Sequence, residues 1–206
     1  KIKLNYKHIY ISSDKVFGKK NSTAFPYSKQ KPIDPYGKFK FFNENKLRNI
    51  IDQNLIIVRV TNIYGPGQKN NQFIPSVIRQ IKQSNLIKVG NTNSYRDYIY
   101  ISDVVNGIYK IIENSNNLNV YHFSNKKIKL TNILKKIKIL ISKEFNRNLS
   151  IVENLRLKRP LKYEIGKFKL FKQTTSLHLA WKPKINIEEG LKKIIKYEFK
   201  KYKKRY

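Results

Sequence analysis

The sequence predicts an α/β chain built on a parallel sheet, and three observations lead there. Short β-rich apolar runs alternate along the chain with stretches of helix length and 3.6-residue apolar periodicity. Gly, Pro and Asn punctuate the joins between them. No internal repeat and no long low-complexity linker interrupts the alternation.

The elements follow in order. His8–Ser12 is short, rich in β-formers and followed at once by polar residues, as a buried strand is. Ser13–Pro35 is a long loop carrying Gly18, Asn21, Pro26, Pro32 and Pro35. Pro35 then stands just ahead of a helix over about Tyr36–Asp52. Leu55–Val60 is a second buried strand, and Ile63–Gln68 a Gly/Pro loop. Phe73–Gln83 reads as a helix with Phe73, Val77, Ile78 and Ile81 on one face. Ile87–Val89 and Asp97–Ile101 are short strands, and Ser102-Asp103 is placed to cap a helix over Val104–Glu113. Val120–Ser124 is strand-like, Leu130–Ser142 an amphipathic helix opened by Thr131, and Ile151–Glu153 a short strand. Leu155–Pro183 is irregular, and Glu188–Tyr202 is a last helix running into the charges Lys200–Arg205.

Composition narrows the function. The 206 residues include 44 Lys+Arg against 13 Asp+Glu, a formal net charge of +31. A hydrophobic content of 40% supports a real core and opposes a wholly disordered basic chain. With no Cys there is no disulfide scaffold, no Cys-ligated zinc and no thiol nucleophile. Three His without an HxxxH spacing disfavour a His-based metal site. No apolar run approaches the ~18 residues a membrane span needs. The charge points to nucleic acid, an anionic membrane or another anionic ligand. Most of it is Lys, though, in a chain also rich in Asn and Ile, and A/T-rich codons alone produce that surface. The chain begins at Lys1 and contains no Met, so its start is expected to be processed, trimmed or missing.

One constellation carries chemistry. Tyr36 and Lys40 stand four residues apart at the start of a helix, hence on one face. An ammonium close to a phenol favours the phenolate and lowers its pKa, which suits general acid/base work on a sugar hydroxyl. Upstream, Ile11-Ser12-Ser13-Asp14-Lys15-Val16-Phe17-Gly18 puts hydroxyls at the carboxyl end of a buried strand, the sheet edge where α/β proteins bind ligands. Downstream come Arg59-Val60-Thr61-Asn62-Ile63-Tyr64-Gly65-Pro66-Gly67, then Tyr95-Arg96-Asp97-Tyr98-Ile99 with Ser102-Asp103, Arg159-Pro160, and Leu179-Ala180-Trp181-Lys182-Pro183.

This ordered set resembles the extended short-chain dehydrogenase/reductases, in their NAD-dependent nucleotide-sugar epimerase/dehydratase group, of UDP-glucose 4-epimerase type. The resemblance covers essentially the whole chain but begins in mid-pattern. Family members open with a Gly-rich dinucleotide fingerprint, and here the glycines are Gly18, Gly37, Gly65, Gly67, Gly90, Gly107, Gly166 and Gly190, with no GxxGxxG. About a hundred residues, one mononucleotide-binding half, are absent relative to the family. The resemblance thus implies the C-terminal part of a Rossmann-type parallel sheet with a smaller α+β substrate-binding domain. Residues 1–64 and about 96–125 belong to the former, about 65–95 and 126–206 to the latter.

The resemblance also implies roles. Ser13 bonds the sugar C4 hydroxyl, Tyr36 takes its proton, and Lys40 holds the nicotinamide ribose and depresses the Tyr36 pKa. Ser12 and Asn62 lie on the cofactor side, and Asn62 also contacts the sugar-nucleotide diphosphate. Phe73, Lys88 and Val89 line the nucleotide end, and Arg96 and Arg159 clamp phosphate. Asp103 reads as a helix cap, Trp181 as packing, and His8, His122 and His178 as structural or exposed. The cofactor is NAD, the substrate a nucleotide-diphosphate sugar and the assembly a cytoplasmic homodimer paired through the Tyr36 helix. No membrane is involved, and products feed cell-surface polysaccharides. In 4,6-dehydratases the two residues after the catalytic hydroxyl are an acid and a proton acceptor, so Asp14 and Lys15 permit that outcome. They fit a turn with two solvated charges as well, and Lys15-Val16-Phe17-Gly18 continues in the epimerase manner, which tips the reading slightly to epimerase. Phe17, Lys29 and Phe39 depart from the family pattern, the last by its bulk beside Lys40. A basic nucleic-acid-binding module and an inactive fragment are the rival readings. Without the Gly-rich half, the 206-residue chain is expected not to bind NAD tightly.

Overall fold

A computed structural model describes residues 6–19, 22–51, 53–69, 72–114, 116, 118–154 and 169–203. Strands β1 (His8–Ser13), β2 (Leu55–Val60) and β6 (Val120–Phe123) form one parallel sheet in the order β1-β2-β6. Strands β3 (Asn62–Tyr64), β5 (Tyr95–Tyr100) and β7 (Lys127–Lys129) form a second, in which β3 pairs parallel and β7 antiparallel with β5. Strands β4 (Leu86–Val89) and β8 (Ser150–Glu153) pair parallel in a third. The helices are α1 (Pro35–Ile50), α2 (Phe73–Gln83), α3 (Ile101–Glu113), α4 (Leu130–Phe145), α5 (Gln173–His178) and α6 (Ile187–Lys203). Among the described residues no helix is long and apolar enough to cross a membrane.

The chain divides into two compact units. The first takes residues 1–61, 102–125 and 160–183. Its sheet registers Ser12 against Arg59 and Arg59 against His122. On one side of that sheet Arg59 lies 4.9 Å over the Phe17 ring, which meets His122 edge-on. On α3, Gly107 leaves space that Phe123 and Trp181 fill, and Trp181 stacks on Phe123 at 4.5 Å and donates from Nε1 to the Asp103 carbonyl. Trp181 is therefore packing, as the sequence suggested. Lys7 donates to the last carbonyls of α3 at Ile111 and Ile112 and to that of Asn114 just beyond, where a cation complements the helix dipole. The second unit takes residues 62–101, 126–159 and 184–206. Its core joins Ile74, Ile78 and Ile81 of α2, Ile133, Ile137 and Ile141 of α4, and Leu191, Ile194 and Ile195 of α6.

Several element boundaries differ from the sequence reading, each for a tertiary reason. Asp14–Phe17, read as loop, is a 3-10 turn. Ile63 and Tyr64, read as the start of a Gly/Pro loop, belong with Asn62 to strand β3 because β5 offers it a parallel partner. Helix α3 begins at Ile101, directly after β5, so Ser102 and Asp103 lie inside its first turn and not ahead of it. Helix α4 begins at Leu130 with Lys129 ahead of it and no side-chain cap, so Thr131 does not open it. Inside the stretch read as irregular, Gln173–His178 is helical. Residues 155–168, and Arg159 with them, lie outside the described residues.

His122 is fully buried. Its Nδ1 lies 3.2 Å from the Phe171 carbonyl, and burial, with Arg59 nearby, lowers its pKa to about 3. The unfolded chain takes up this proton near pH 6.5 and the folded chain does not, so stability is lost as pH falls from about 6.5 towards 3, by about 1.4 kcal/mol per unit. Urea unfolding of wild type and His122→Gln across that window should show the slope in wild type and a flatter profile in the variant.

Candidate active site

Ser12 and Ser13 end β1 and are buried. The chain then turns through Asp14–Phe17, and Ser13 caps that turn by accepting from the Lys15 amide. Gly18 closes it with φ +61°, and a Cβ there would lie 1.9 Å from the Lys31 carbonyl oxygen, so only glycine fits. Helix α1 is opened by Asp34, whose Oδ1 accepts from the Gly37 amide at 2.7 Å, with Pro35 at the first helical position. Strand end, turn and helix start thus meet. They bring Ser13, Asp14, Tyr36 and Lys40 to one place at the carboxyl end of β1.

The Ser13 side chain stands near enough to the Tyr36 hydroxyl to favour the phenolate. Ser13 Oγ also lies 3.1 Å from Asp14 Oδ1, to which it donates. Lys40 Nζ donates to the Ile11 carbonyl at 2.7 Å, 5.7 Å from the Tyr36 ring centre and 5.0 Å from that of Tyr10. Burial lowers the Lys40 pKa, against the attraction of Glu44. The expectation that Lys40 depresses the Tyr36 pKa is corrected here. Burial first, then the Asp14 carboxylate, push the phenol above its ordinary value, against the influence of the nearby Ser13 side chain. The ammonium sits over the ring and spends one donor on a backbone carbonyl. A Lys ammonium has three donors, so two can still reach a pair of vicinal hydroxyls, and a ribose fits this donor set. Lys15 Nζ lies 4.0 Å from Asp34 Oδ2.

Other expected site residues fall elsewhere. The Ser12 hydroxyl donates to Glu44 Oε1 at 2.5 Å, so it is committed inside the protein and not directed to a cofactor. Asn62 opens β3 and donates from Nδ2 to the Asp97 carbonyl at 2.8 Å. Arg96 on β5 donates to its neighbour's carbonyl. Phe73 and Val89 pack on or in the core of the second unit, and Val89, 4% exposed, is no ligand wall. Lys88 is exposed on β4. Phe39 is 60% exposed, so its bulk does not crowd the helix packing. Among the described residues no group of three or more acidic or His side chains could hold a metal.

Sequence reasoning missed Glu44 and Arg59 as a pair. Glu44 has no exposed surface, and Arg59 reaches it with Nε at 3.0 Å and Nη2 at 2.7 Å. The signal was present: an Arg inside the apolar strand Leu55–Val60 demands a buried partner, and acids are scarce in this chain.

Gly37 separates the two halves of the site. A Cβ there would lie 2.6 Å from the Lys15 carbonyl oxygen, so Gly37→Ala should lift the start of α1 off the turn. The expected cost is about 1–3 kcal/mol in thermal unfolding, with turnover falling as well, because Tyr36 and Lys40 flank the displaced residue.

The family model described as the NAD dependent epimerase/dehydratase family matches residues 2–124. The dTDP-D-glucose 4,6-dehydratase of Homo sapiens is 26% identical over 203 residues, 93% of this chain and 56% of that protein. The chain therefore spans little more than half the length of that relative. A dTDP-glucose 4,6-dehydratase structure from Bacillus anthracis, in complex with NAD, superposes with TM-score 0.79 at 18% identity, over 96% of this chain and 63% of that one. A UDP-glucuronic acid 4-epimerase structure from Bacillus cereus, with UDP-glucuronic acid and NAD, does so with TM-score 0.77 at 22% identity, over 95% and 62%.

Proposed function

The chain belongs to the NAD-dependent epimerase/dehydratase family, and from that premise we propose that it carries the acid–base centre of a nucleotide-sugar enzyme. The observation that carries this reading is the convergence of Ser13, Asp14, Tyr36 and Lys40 at the carboxyl end of a parallel strand. Ser13 bonds the C4 hydroxyl of an NDP-hexose, and Tyr36 takes the proton from it. A bound NAD would supply the acceptor for the C4 hydride. Lys40 holds the nicotinamide ribose with the two donors that Ile11 leaves. The family resemblance, and not their contacts here, supports Asn62, Arg96 and Arg159 as ligands of the diphosphate and Phe73 and Lys88 as ligands of the nucleotide. Residues 1–64 and 96–125 serve the cofactor side, and the remainder the substrate side. Phe39 and Phe42, 60% and 62% exposed on α1, support pairing of two copies through that helix.

Epimerisation is the outcome the geometry supports best. Elimination across C5 and C6 needs a proton acceptor, and Lys15, as an ammonium paired with Asp34, has no lone pair to offer. The 4,6-dehydratase outcome has its own support: Asp14 is 8% exposed beside Ser13, where a carboxyl could protonate a leaving C6 hydroxyl. Incubating the complete protein with NAD and with UDP- and dTDP-hexoses tests both. An epimer of unchanged mass supports the first and a 4-keto product lighter by one water the second. Neither product, together with no NAD retention, would overturn the proposal.

A further inference from the structure

We propose that Glu44 is a positioning residue for this site, holding the helix that carries Tyr36 and Lys40 in register over the strand that carries Ser13. The inference rests on the acid–base reading above. Glu44 lies one turn beyond Lys40, on the same helix face. Its carboxylate is satisfied four ways. Oε1 accepts from Ser12 Oγ at 2.5 Å and from Arg59 Nε at 3.0 Å. Oε2 accepts from Arg59 Nη2 at 2.7 Å and from Gln30 Nε2 at 2.8 Å. Ser12 and Arg59 are register partners on adjacent strands, so a single side chain grips both.

The helix touches β1 through two successive rungs. Lys40 bonds the Ile11 carbonyl and Glu44 bonds the Ser12 hydroxyl. Apolar packing tolerates a slide along the helix axis; a bidentate guanidinium–carboxylate pair does not. A slide of one residue, about 1.5 Å, would break both rungs and carry the Tyr36 hydroxyl away from Ser13. Arg59 extends the brace, donating from Nη1 to the Pro26 carbonyl at 2.8 Å and so fixing the loop that precedes α1. A buried ion pair is weak evidence of stabilisation but well suited to specifying one arrangement. The charged and titratable groups around Lys40 are Tyr10 on β1 and Tyr36 and Glu44 on α1, with Arg48 3.9 Å from the Glu44 carboxylate on the open side.

The test separates positioning from plain stability. Glu44→Met with Arg59→Met replaces the pair by apolar groups of similar length, which buried pairs often tolerate. Glu44→Asp keeps the charge but withdraws the carboxylate. For the complete protein, kcat should fall by about tenfold or more in each folded variant, with KM changed by less than about threefold. Lys40, followed by carbon-13 NMR titration of its ε carbon in the 206-residue chain, should titrate at lower pH in the double variant, because Glu44 raises it. A folded double variant with wild-type kcat, or with a change in KM alone, overturns the proposal. If the double variant does not fold, Glu44→Asp decides by the same criteria. If wild type turns over no nucleotide sugar, the functional reading fails separately and the seating of α1 on β1 decides: loss of the NMR contacts between Lys40 and Ile11 in whichever variant folds supports positioning, and unchanged contacts overturn it.

Discussion

Tyr36→Phe should lower turnover of a nucleotide hexose by about 10²–10⁴-fold while leaving substrate affinity nearly unchanged. Only the phenolic oxygen is removed, and with it the group that meets Ser13. The ring, half exposed at the start of α1, keeps its place over Lys40. An interaction made with the transferring proton appears in kcat, whereas one made equally with bound substrate appears in KM. Steady-state kinetics give that split directly, and isothermal titration with the nucleotide sugar checks that binding survives. Survival of turnover would mean that Tyr36 is not the base.

Arg59→Ala should be the most destabilising single substitution in the first unit. It leaves the Glu44 carboxylate buried with Ser12 and Gln30 as its remaining donors, and breaking a buried pair from one side costs about 3–5 kcal/mol. That is a large share of the stability of a typical domain. Burial by itself would raise the Glu44 pKa. Arg59 above all, with Ser12 and Gln30, outweighs burial and holds it below its ordinary value. The sign follows: this stabilisation is complete above the ordinary carboxylate range and is lost as pH falls through the lowered folded value. Denaturant midpoints measured at neutral and acid pH should therefore differ less between Arg59→Ala and wild type at the acid end, after allowance for His122.

Much of the fold was legible because its signals are local. Pro35 ahead of α1, the periodicity of Phe73–Gln83 and the β-rich runs at His8 and Leu55 each need only a few neighbouring residues. Strands β3 and β7 were not legible, since Asn62–Tyr64 and Lys127–Lys129 are three-residue segments that become strands only by pairing with β5. The start of α3 was misplaced because the helix follows a strand with no capping residue between them. At the site, the Tyr36–Lys40 spacing and the hydroxyls after β1 could be read directly. Their charge balance could not: the phenol is set by burial and Asp14, and Lys40 by burial against the attraction of Glu44. Glu44 and Arg59 are fifteen residues apart on different elements, and the register of β1 on β2 is what joins Ser12 to them.

The most direct measurement uses an NDP-hexose deuterated at C4, incubated with NAD and the complete protein, with product mass followed for wild type and Tyr36→Phe. The account predicts a product that retains the deuterium, because the hydride leaves C4 and is returned within the site, and a loss of product formation in Tyr36→Phe. Deuterium lost to solvent, or equal product from the variant, would contradict it.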